Sequence, residues 1–455
     1  GSFSSSNMLL NRFYENTIRS QESNFVGAIT DCPTREKNNW TGDAQGFAYA
    51  ATYNFNTANI YRSFQEMTRH TQGTSGIIPE IIPIYRPAET VKAPSGWSDT
   101  VILIPWQLYF QYGDESFLTD SYDEMKKWAD FLINSCKDYD YVRQVGWYGD
   151  NVSYDCYMMN SKFYPEIGTA YSAYSIGILS KICGILGKTE DEAYYKAESE
   201  NFAAAWRENF LEEDGFTCKT KDQTAYAMGI YYNLYESEEK RQKAADALDK
   251  LIHSPERDGI PKDAQTVGFI GYPILYYTLS QHGHTDTAFT LLERTDTPSI
   301  LYPVTLGATT TWERYKKICS LNHFFSGCVT SWFYTDILGI THDYKTENVG
   351  YRHFILQPTY GGSLTWAKGS YDSASGIIES AWTFADDGTF TFDCTIPANT
   401  SATVKLPANA SSIVSEGGEL IGDGNDSIRP LGYVDGRMCF EVTSGEYHFT
   451  VTEGQ

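Results

Sequence analysis

Two patterns predict a mainly helical protein that ends in an all-β part. From Asn7 to about Ile340 apolar residues recur at three- and four-residue steps, and after Ile340 the period falls to two. Length points the same way, because 455 residues exceed the size at which a single core stops growing. In the helical part, Leu118, Tyr122, Met125, Trp128, Leu132 and Cys136 mark one buried face across SFLTDSYDEMKKWADFLINSC. The stretches 171–186, 193–211, 223–235, 242–253 and 273–281 read as further helices, and Gly187, Gly215, Gly259 and Gly283 supply stops after them. Twelve helices over this region would take about 28 residues each, enough for an ordinary helix and a generous loop. Downstream, TFTFDCTIPANTSATVKLP and CFEVTSGEYHFTVT alternate apolar with polar residues, and Asp386-Asp387-Gly388, Gly417-Gly418 and Ser444-Gly445 read as turns of an antiparallel sandwich. The boundary is expected between Thr341 and Tyr351, dividing the chain into 1–345 and 346–455.

Charge excludes whole classes of partner. Lys and Arg total 35 against 58 Asp and Glu, and the net charge of −23 repels nucleic acid and anionic membranes. No apolar run approaches a membrane span, and GSFSSSNMLL lacks the basic and apolar regions of a secretion signal. The opening Gly1-Ser2 reads as a cloning remnant. Nine scattered cysteines show neither zinc-site nor disulfide spacing, so buried thiols in a reducing, cytoplasmic setting are expected. The 34 Tyr and 10 Trp suit sugar rings as well as they suit a core.

The chemistry-bearing residues fall into two clusters. DCPTREKNNWTGDAQ concentrates Asp31, Arg35, Glu36, Trp40 and Asp43 in a segment that Pro33, Asn38, Asn39 and Gly42 keep from being a continuous helix. LGATTTWERYKK carries Trp312, Glu313 and Arg314, followed by Asn322 and His323 in SLNHFF. The first cluster also fits a capping loop whose acids pair with Arg35 and Lys37, and Glu313 also fits an exposed helix ion pair. His323 fits a hydrogen-bonded structural histidine as well as a catalytic one. Between the clusters, GWSD (Trp97, Asp99) and GWYGD (Trp147, Asp150) are two Gly-Trp turns followed by an acid. There is no phosphate loop, no GxSxG elbow and no close metal-ligand spacing, so neither a cofactor nor a metal is expected. Separated carboxylates among tryptophans are the equipment of glycoside hydrolysis.

With both clusters in view, the chain resembles glycoside hydrolase family 78, the bacterial α-L-rhamnosidases. The resemblance runs nearly end to end through SNMLLNRFYENT, DCPTREKNNWTGDAQ, GWSDTVILIPWQLYFQYGD, TAYSAYSIGIL, QTAYAMGI, TVGFIGYPILYYTLSQHGH, LGATTTWERY and SGEYHFTV. It implies a six-hairpin α/α barrel followed by a C-terminal β-sandwich. It also implies inverting, exo-acting hydrolysis of terminal α-L-rhamnosides, on a rhamnosylated small molecule or oligosaccharide. Carried over residue by residue, Glu36 matches the general acid and Glu313 the general base. Asp31, Arg35, Trp40, Asp43, Trp97 and His323 match residues that hold the sugar, and Asp99, Trp147, Asp150 and Trp312 are added as candidate sugar contacts. The chain departs from the family in three places. REKNNW is one residue shorter than the commoner RDER spacing, so Glu36 aligns with either acid of that pair. Asn151 stands where members commonly carry the tryptophan of GDW, and the chain begins almost at the first barrel helix, without the β-domains that usually precede it. The rival readings are a same-fold glycosidase or lyase acting on another sugar, and an inactive sugar-binding relative.

Overall fold

The computed structural model describes residues 1–144, 148–154, 164–256, 259–315, 319–409, 411–421 and 426–452. The first part is built from helices α1 (Met8–Asn24), α2 (Thr41–Asn54), α3 (Ala58–Thr71), α4 (Thr100–Tyr112), α5 (Tyr122–Cys136), α6 (Tyr164–Ile185), α7 (Thr189–Phe210), α8 (Gln223–Tyr231), α9 (Glu238–Ile252), α10 (Leu275–Gln281), α11 (Thr285–Glu293) and α12 (Thr330–Trp332), the last running on as a π-turn over Phe333–Ile337, with further single helical turns at Ser116–Thr119 and Tyr302–Thr305. The even-numbered helices form a closed inner ring, each touching the next, with Tyr276 on Trp332 joining α10 to α12 and α12 returning to α2. Burial separates the two rings. Inner α2 hides every residue except Gly46 and Tyr49, whereas outer α9 hides only the stripe Ala244, Ala245, Leu248 and Ile252.

The helix ends differ from the sequence expectation where polar residues lead the helix. Three acids, Glu190, Asp191 and Glu192, occupy the first turn of α7, and α9 starts behind Ser237, whose hydroxyl accepts the Lys240 N–H. Apolar periodicity is blind to such first turns. Asn233, at φ 57°, stops α8 before Tyr235, and the face from Leu118 to Cys136 is split between a single turn at Ser116–Thr119 and α5.

Among the described residues, the second part is one continuous ten-stranded sheet folded on itself. Its strands are β1 (Ser2–Ser5), β2 (Ile340–Thr341), β3 (His353–Leu356), β4 (Trp366–Ser373), β5 (Gly376–Phe384), β6 (Phe390–Leu406), β7 (Ile413–Glu416), β8 (Glu419–Leu420), β9 (Ile428–Val434) and β10 (Arg437–Thr452). The long strands β6 and β10 serve both halves. Phe390–Ile396 of β6 pairs with β5 and with the end of β10, while Ser401–Leu406 pairs with β3 and the start of β10. Phe440 then packs against Phe449 across the fold. Ser444-Gly445, expected as a turn, is instead a register shift inside β10, where the strand passes from one half to the other. The β3–β6 pair is parallel in an otherwise antiparallel sheet. The expected boundary region, 341–351, falls between β2 and β3.

The sheet closes one mouth of the barrel. Trp382 Nε1 and Ser380 Oγ donate to the Ile337 and Leu338 carbonyls at the end of α12, and Tyr371 OH donates to Gln111 near the end of α4. β1 pairs with β4, and the Gly1 ammonium donates to the Asn54 carbonyl at the end of α2, 2.8 Å away. The C-terminal ends of these inner helices are therefore covered, and the loops that lead into the N-terminal ends form the opposite mouth. Among the described residues, no helix is long and apolar enough to cross a membrane.

Candidate active site

A cavity of about 70 Å³ lies in that open mouth, lined by Asp31, Glu36, Trp40, Asp43, Trp97, Tyr148, Asn151, Phe269, Glu313 and His323. Every one of these residues sits on a loop leading into an inner helix or in the first turn of one. The positive ends of the inner helix dipoles thus face the acids.

The first wall is the 31–40 loop. The Asp31 carboxylate accepts the Asn38 N–H at 2.9 Å, and the Asp31 N–H returns to the Asn38 carbonyl, closing the loop on itself. Asn39–Thr41 then runs beside Glu80–Ile82, with Ile82 N–H on the Asn39 carbonyl and Thr41 N–H on the Glu80 carbonyl. That pairing fixes Trp40, whose indole N–H donates to Glu36 Oε2 at 3.0 Å. Burial raises the Glu36 carboxyl above its ordinary range, Asp31 and Glu313 push it the same way, and the Trp40 bond and Arg35 oppose them. Asp43, in the first turn of α2, is buried, and burial lifts its carboxyl well above the usual range, reinforced by Asp31, Glu313 and Glu36.

Glu313 and His323 come from the loop before α12. The two strands of that loop are held by Glu313 N–H on the Ser320 carbonyl and by His323 N–H on the Thr311 carbonyl. Glu313 Oε2 accepts the Ser320 N–H at 3.0 Å and lies 4.0 Å from Arg35, while Oε1 lies 3.8 Å from Arg314. Burial lowers the pKa of His323, and its Nδ1 accepts the Phe325 N–H, which leaves the proton of the neutral ring on Nε2, 3.2 Å from Asp43 Oδ1. That approach lacks hydrogen-bond alignment, so Asp43 Oδ1 remains an open acceptor in the pocket wall. Four carboxylates thus share a small space with the half-exposed Arg35 and a neutral histidine.

Aromatic rings make the remaining wall. Trp40 meets Tyr148 edge-on at 5.7 Å, Tyr148 lies 4.8 Å from Trp97, and Trp97 stacks toward Phe269 at 6.4 Å. Gly42 is what allows Trp97 to lie on α2, since a Cβ there would come within 2.6 Å of the indole. Tyr148 itself has φ 76°, a left-handed conformation that costs a non-glycine residue about 1–3 kcal/mol and is held by its surroundings.

Asp99 and Asp150, expected as sugar contacts, lie behind the pocket rather than on its wall. Asp99 accepts from the Gly96 N–H, Trp128 Nε1 and Ser175 Oγ and so fixes the turn that carries Trp97. Asp150 accepts from Thr224 Oγ1 and from the N–H groups of Gly268 and Ile270, which fixes the turn that carries Phe269. Burial raises both carboxyls, that of Asp150 to about 6. Trp312 is also displaced from the site. It lines a separate small cavity with Phe13, Thr311 and Arg314, while Glu313 between Trp312 and Arg314 lines the pocket. Trp147 lies outside the described residues. Tyr148, Asn151 and Phe269 line the pocket without having been singled out as contacts. The mismatch with the family's GDW at Asn151 was the one available signal, and for Phe269 the sequence offered none. Among the described residues, no three His, Cys, Asp or Glu side chains are grouped to hold a metal, and the eight described cysteines are free thiols.

Comparison with known proteins fits this geometry. The bacterial alpha-L-rhamnosidase six-hairpin glycosidase domain matches residues 1–337, and the bacterial alpha-L-rhamnosidase C-terminal domain matches residues 339–420. An α-L-rhamnosidase of Formosa agariphila is 30% identical over 431 residues, covering 90% of this chain and 44% of the relative. The crystal structure of Streptomyces avermitilis α-L-rhamnosidase complexed with L-rhamnose superposes with a TM-score of 0.89 at 30% identity, covering 99% of this chain and 42% of that one. The α-L-rhamnosidase of Dictyoglumus thermophilum gives 0.90 at 28% identity, covering 99% and 50%. This chain therefore spans half or less of the length of these relatives. The barrel, the sheet that closes it and the acids at its open mouth together make the chain a member of the bacterial α-L-rhamnosidase family, glycoside hydrolase family 78.

Proposed function

We propose that the chain hydrolyses terminal, non-reducing α-L-rhamnosides with inversion at C1. The observation that carries this reading is that Glu36 and Glu313 line one small, aromatic-walled pocket in different electrostatic settings. Glu36, whose carboxyl burial holds above its ordinary range, keeps its proton long enough to give it to the leaving oxygen. Glu313, beside Arg35 and Arg314 and accepting the Ser320 N–H, takes a proton from water attacking the opposite face of the oxocarbenium-like centre. Asp31, Arg35, Asp43 and His323 present polar groups for ring hydroxyls, and Trp40 and Trp97 present apolar faces to the sugar.

Proton NMR of early turnover on a nitrophenyl α-L-rhamnoside tests both parts. β-L-rhamnose is expected first, as two carboxyl groups roughly 6.5–9.5 Å apart would require. Initial α-anomer would overturn inversion. Faster turnover on another nitrophenyl glycoside would overturn the sugar.

A further inference from the structure

Asn151 is an amide in a wall of rings. The pocket has a polar half, which holds the acids and His323, and an aromatic half made by Trp40, Trp97, Tyr148 and Phe269. Asn151 lines the pocket with the aromatic half, because the 150–154 turn is zipped to the 266–270 segment that carries Phe269. The Phe269 N–H donates to the Asn151 carbonyl at 2.9 Å, and the Tyr154 N–H donates to the Thr266 carbonyl at 2.9 Å. Gly268 permits that approach, since a Cβ there would meet the Asn151 carbonyl oxygen at 2.2 Å. Asp150, one residue earlier, grips the N–H groups of Gly268 and Ile270 from the same turn. The backbone at Asn151 is thus fixed on the side facing Phe269.

Its amide is left over. Among the described residues it has no hydrogen-bond partner, although it brings two N–H donors and an acceptor oxygen to the pocket wall. The geometry of the substrate says what it can meet. With C1 between Glu36 and Glu313 and the ring hydroxyls on the polar half, the edge left for the aromatic half is C5 with its C6 substituent. In L-rhamnose that substituent is a methyl group, which offers an amide nothing to bond. In L-mannose, of the same configuration, it carries a hydroxyl that can both donate to and accept from the amide. The commoner GDW sequence would put an indole at this position, so the amide is a property of this chain.

We propose that Asn151 sets the sugar specificity of the pocket by hydrogen-bonding a hydroxyl on C6, so that the chain takes 6-hydroxylated α-L-mannosides alongside the 6-deoxy rhamnosides. The inference rests on the rhamnosidase reading given above and adds the substituent that the aromatic half admits.

The test measures kcat/KM for nitrophenyl α-L-mannoside and nitrophenyl α-L-rhamnoside in the wild-type chain and in Asn151→Leu, which keeps the size of the side chain and removes its polar atoms. The wild-type chain should prefer the rhamnoside by no more than about tenfold, and a preference of about 10²-fold, which an apolar wall alone gives, would overturn the proposal. Asn151→Leu should move the two substrates in opposite directions, the mannoside falling roughly tenfold and the rhamnoside rising roughly threefold as the unpaired amide disappears. A merely structural role would lower both together, and parallel losses or an unmoved ratio would overturn the assignment. Should Asn151→Leu lose its cooperative thermal unfolding, Asn151→Ala carries the comparison, with the mannoside-to-rhamnoside ratio expected to fall roughly fivefold. No turnover of either glycoside by the wild-type chain would instead reject the rhamnosidase reading. In that event, tryptophan fluorescence titrated with free L-mannose and free L-rhamnose still judges Asn151. Tighter binding of L-mannose in the wild-type chain that Asn151→Leu abolishes supports it, and equal affinities in both proteins, or no binding, overturn it.

Discussion

The acids that face the pocket and the acids that stand behind it were equally visible in the sequence, yet the structure treats them differently. Glu36, Asp31 and Glu313 each accept one hydrogen bond from a described residue, and Asp43 keeps an open oxygen. Asp99 and Asp150 each accept three, from N–H groups of a turn carrying an aromatic ring and from side chains of the helices behind that turn. The difference teaches how to sort a buried carboxylate. One with its acceptor capacity filled by the fold is holding the backbone, and one left under-supplied among like charges is available to a ligand.

Removing the carboxylates should break the comparison most visibly at the front. Glu313→Gln is expected to cut turnover at least 10²-fold on every leaving group that needs a base. Glu36→Gln should do so on a disaccharide while sparing much of the activity on a nitrophenyl rhamnoside, whose leaving group needs little protonation. Neither change should lower stability. Equal losses for Glu36→Gln on both substrates would transfer the acid role to a neighbour such as Asp43.

Behind the pocket the balance should reverse. Asp99→Ala and Asp150→Ala each strand buried donors, and chemical denaturation should record a loss of roughly 3 kcal/mol. The activity of the folded fraction should fall only about tenfold, through misplaced Trp97 or Phe269. A loss of activity as deep as that of Glu313→Gln, with stability intact, would place these acids in the chemistry after all.

The smallest effect sharpens the assignment of Glu36. Its carboxyl must be protonated to act as an acid, so the alkaline limb of kcat/KM follows its pKa, already raised by burial. Arg35 lowers that pKa, so Arg35→Gln should move the limb to higher pH, modestly because the guanidinium is half exposed to screening solvent. A limb that moves down, or does not move, would detach it from Glu36.

Helices α5 to α10 and the long strands β6 and β10 were legible because burial imposes a period on apolar residues, even in the inner helices α6, α8 and α10, whereas the inner helices α2 and α4 and the strand β1 were not singled out. The first turns of α7 and α9 were not legible either, since both begin with charge. At the site, Asp31, Glu36, Trp40, Asp43, Trp97, Glu313 and His323 converge because they belong to two dense motifs and a Gly-Trp turn. Phe269 escaped notice because its place in the wall depends on Asp150, 119 positions earlier, gripping the N–H groups on either side of it, which has no local signature. Trp312 misled for the opposite reason. Adjacency to Glu313 looked like shared purpose, but Trp312 and Arg314 on either side of Glu313 line a different cavity.

The strand at the chain's start has a consequence for synthesis. Ser5 of β1 pairs with Ala367 of β4, 362 positions later. At ribosomal speeds of about 5–20 residues per second, β1 is made roughly 20–70 s before its partner strand β4 exists. Throughout that interval its edge and the Asn54 end of α2 stay uncovered, so the nascent barrel acquires its floor only after nearly all of its wall has been translated.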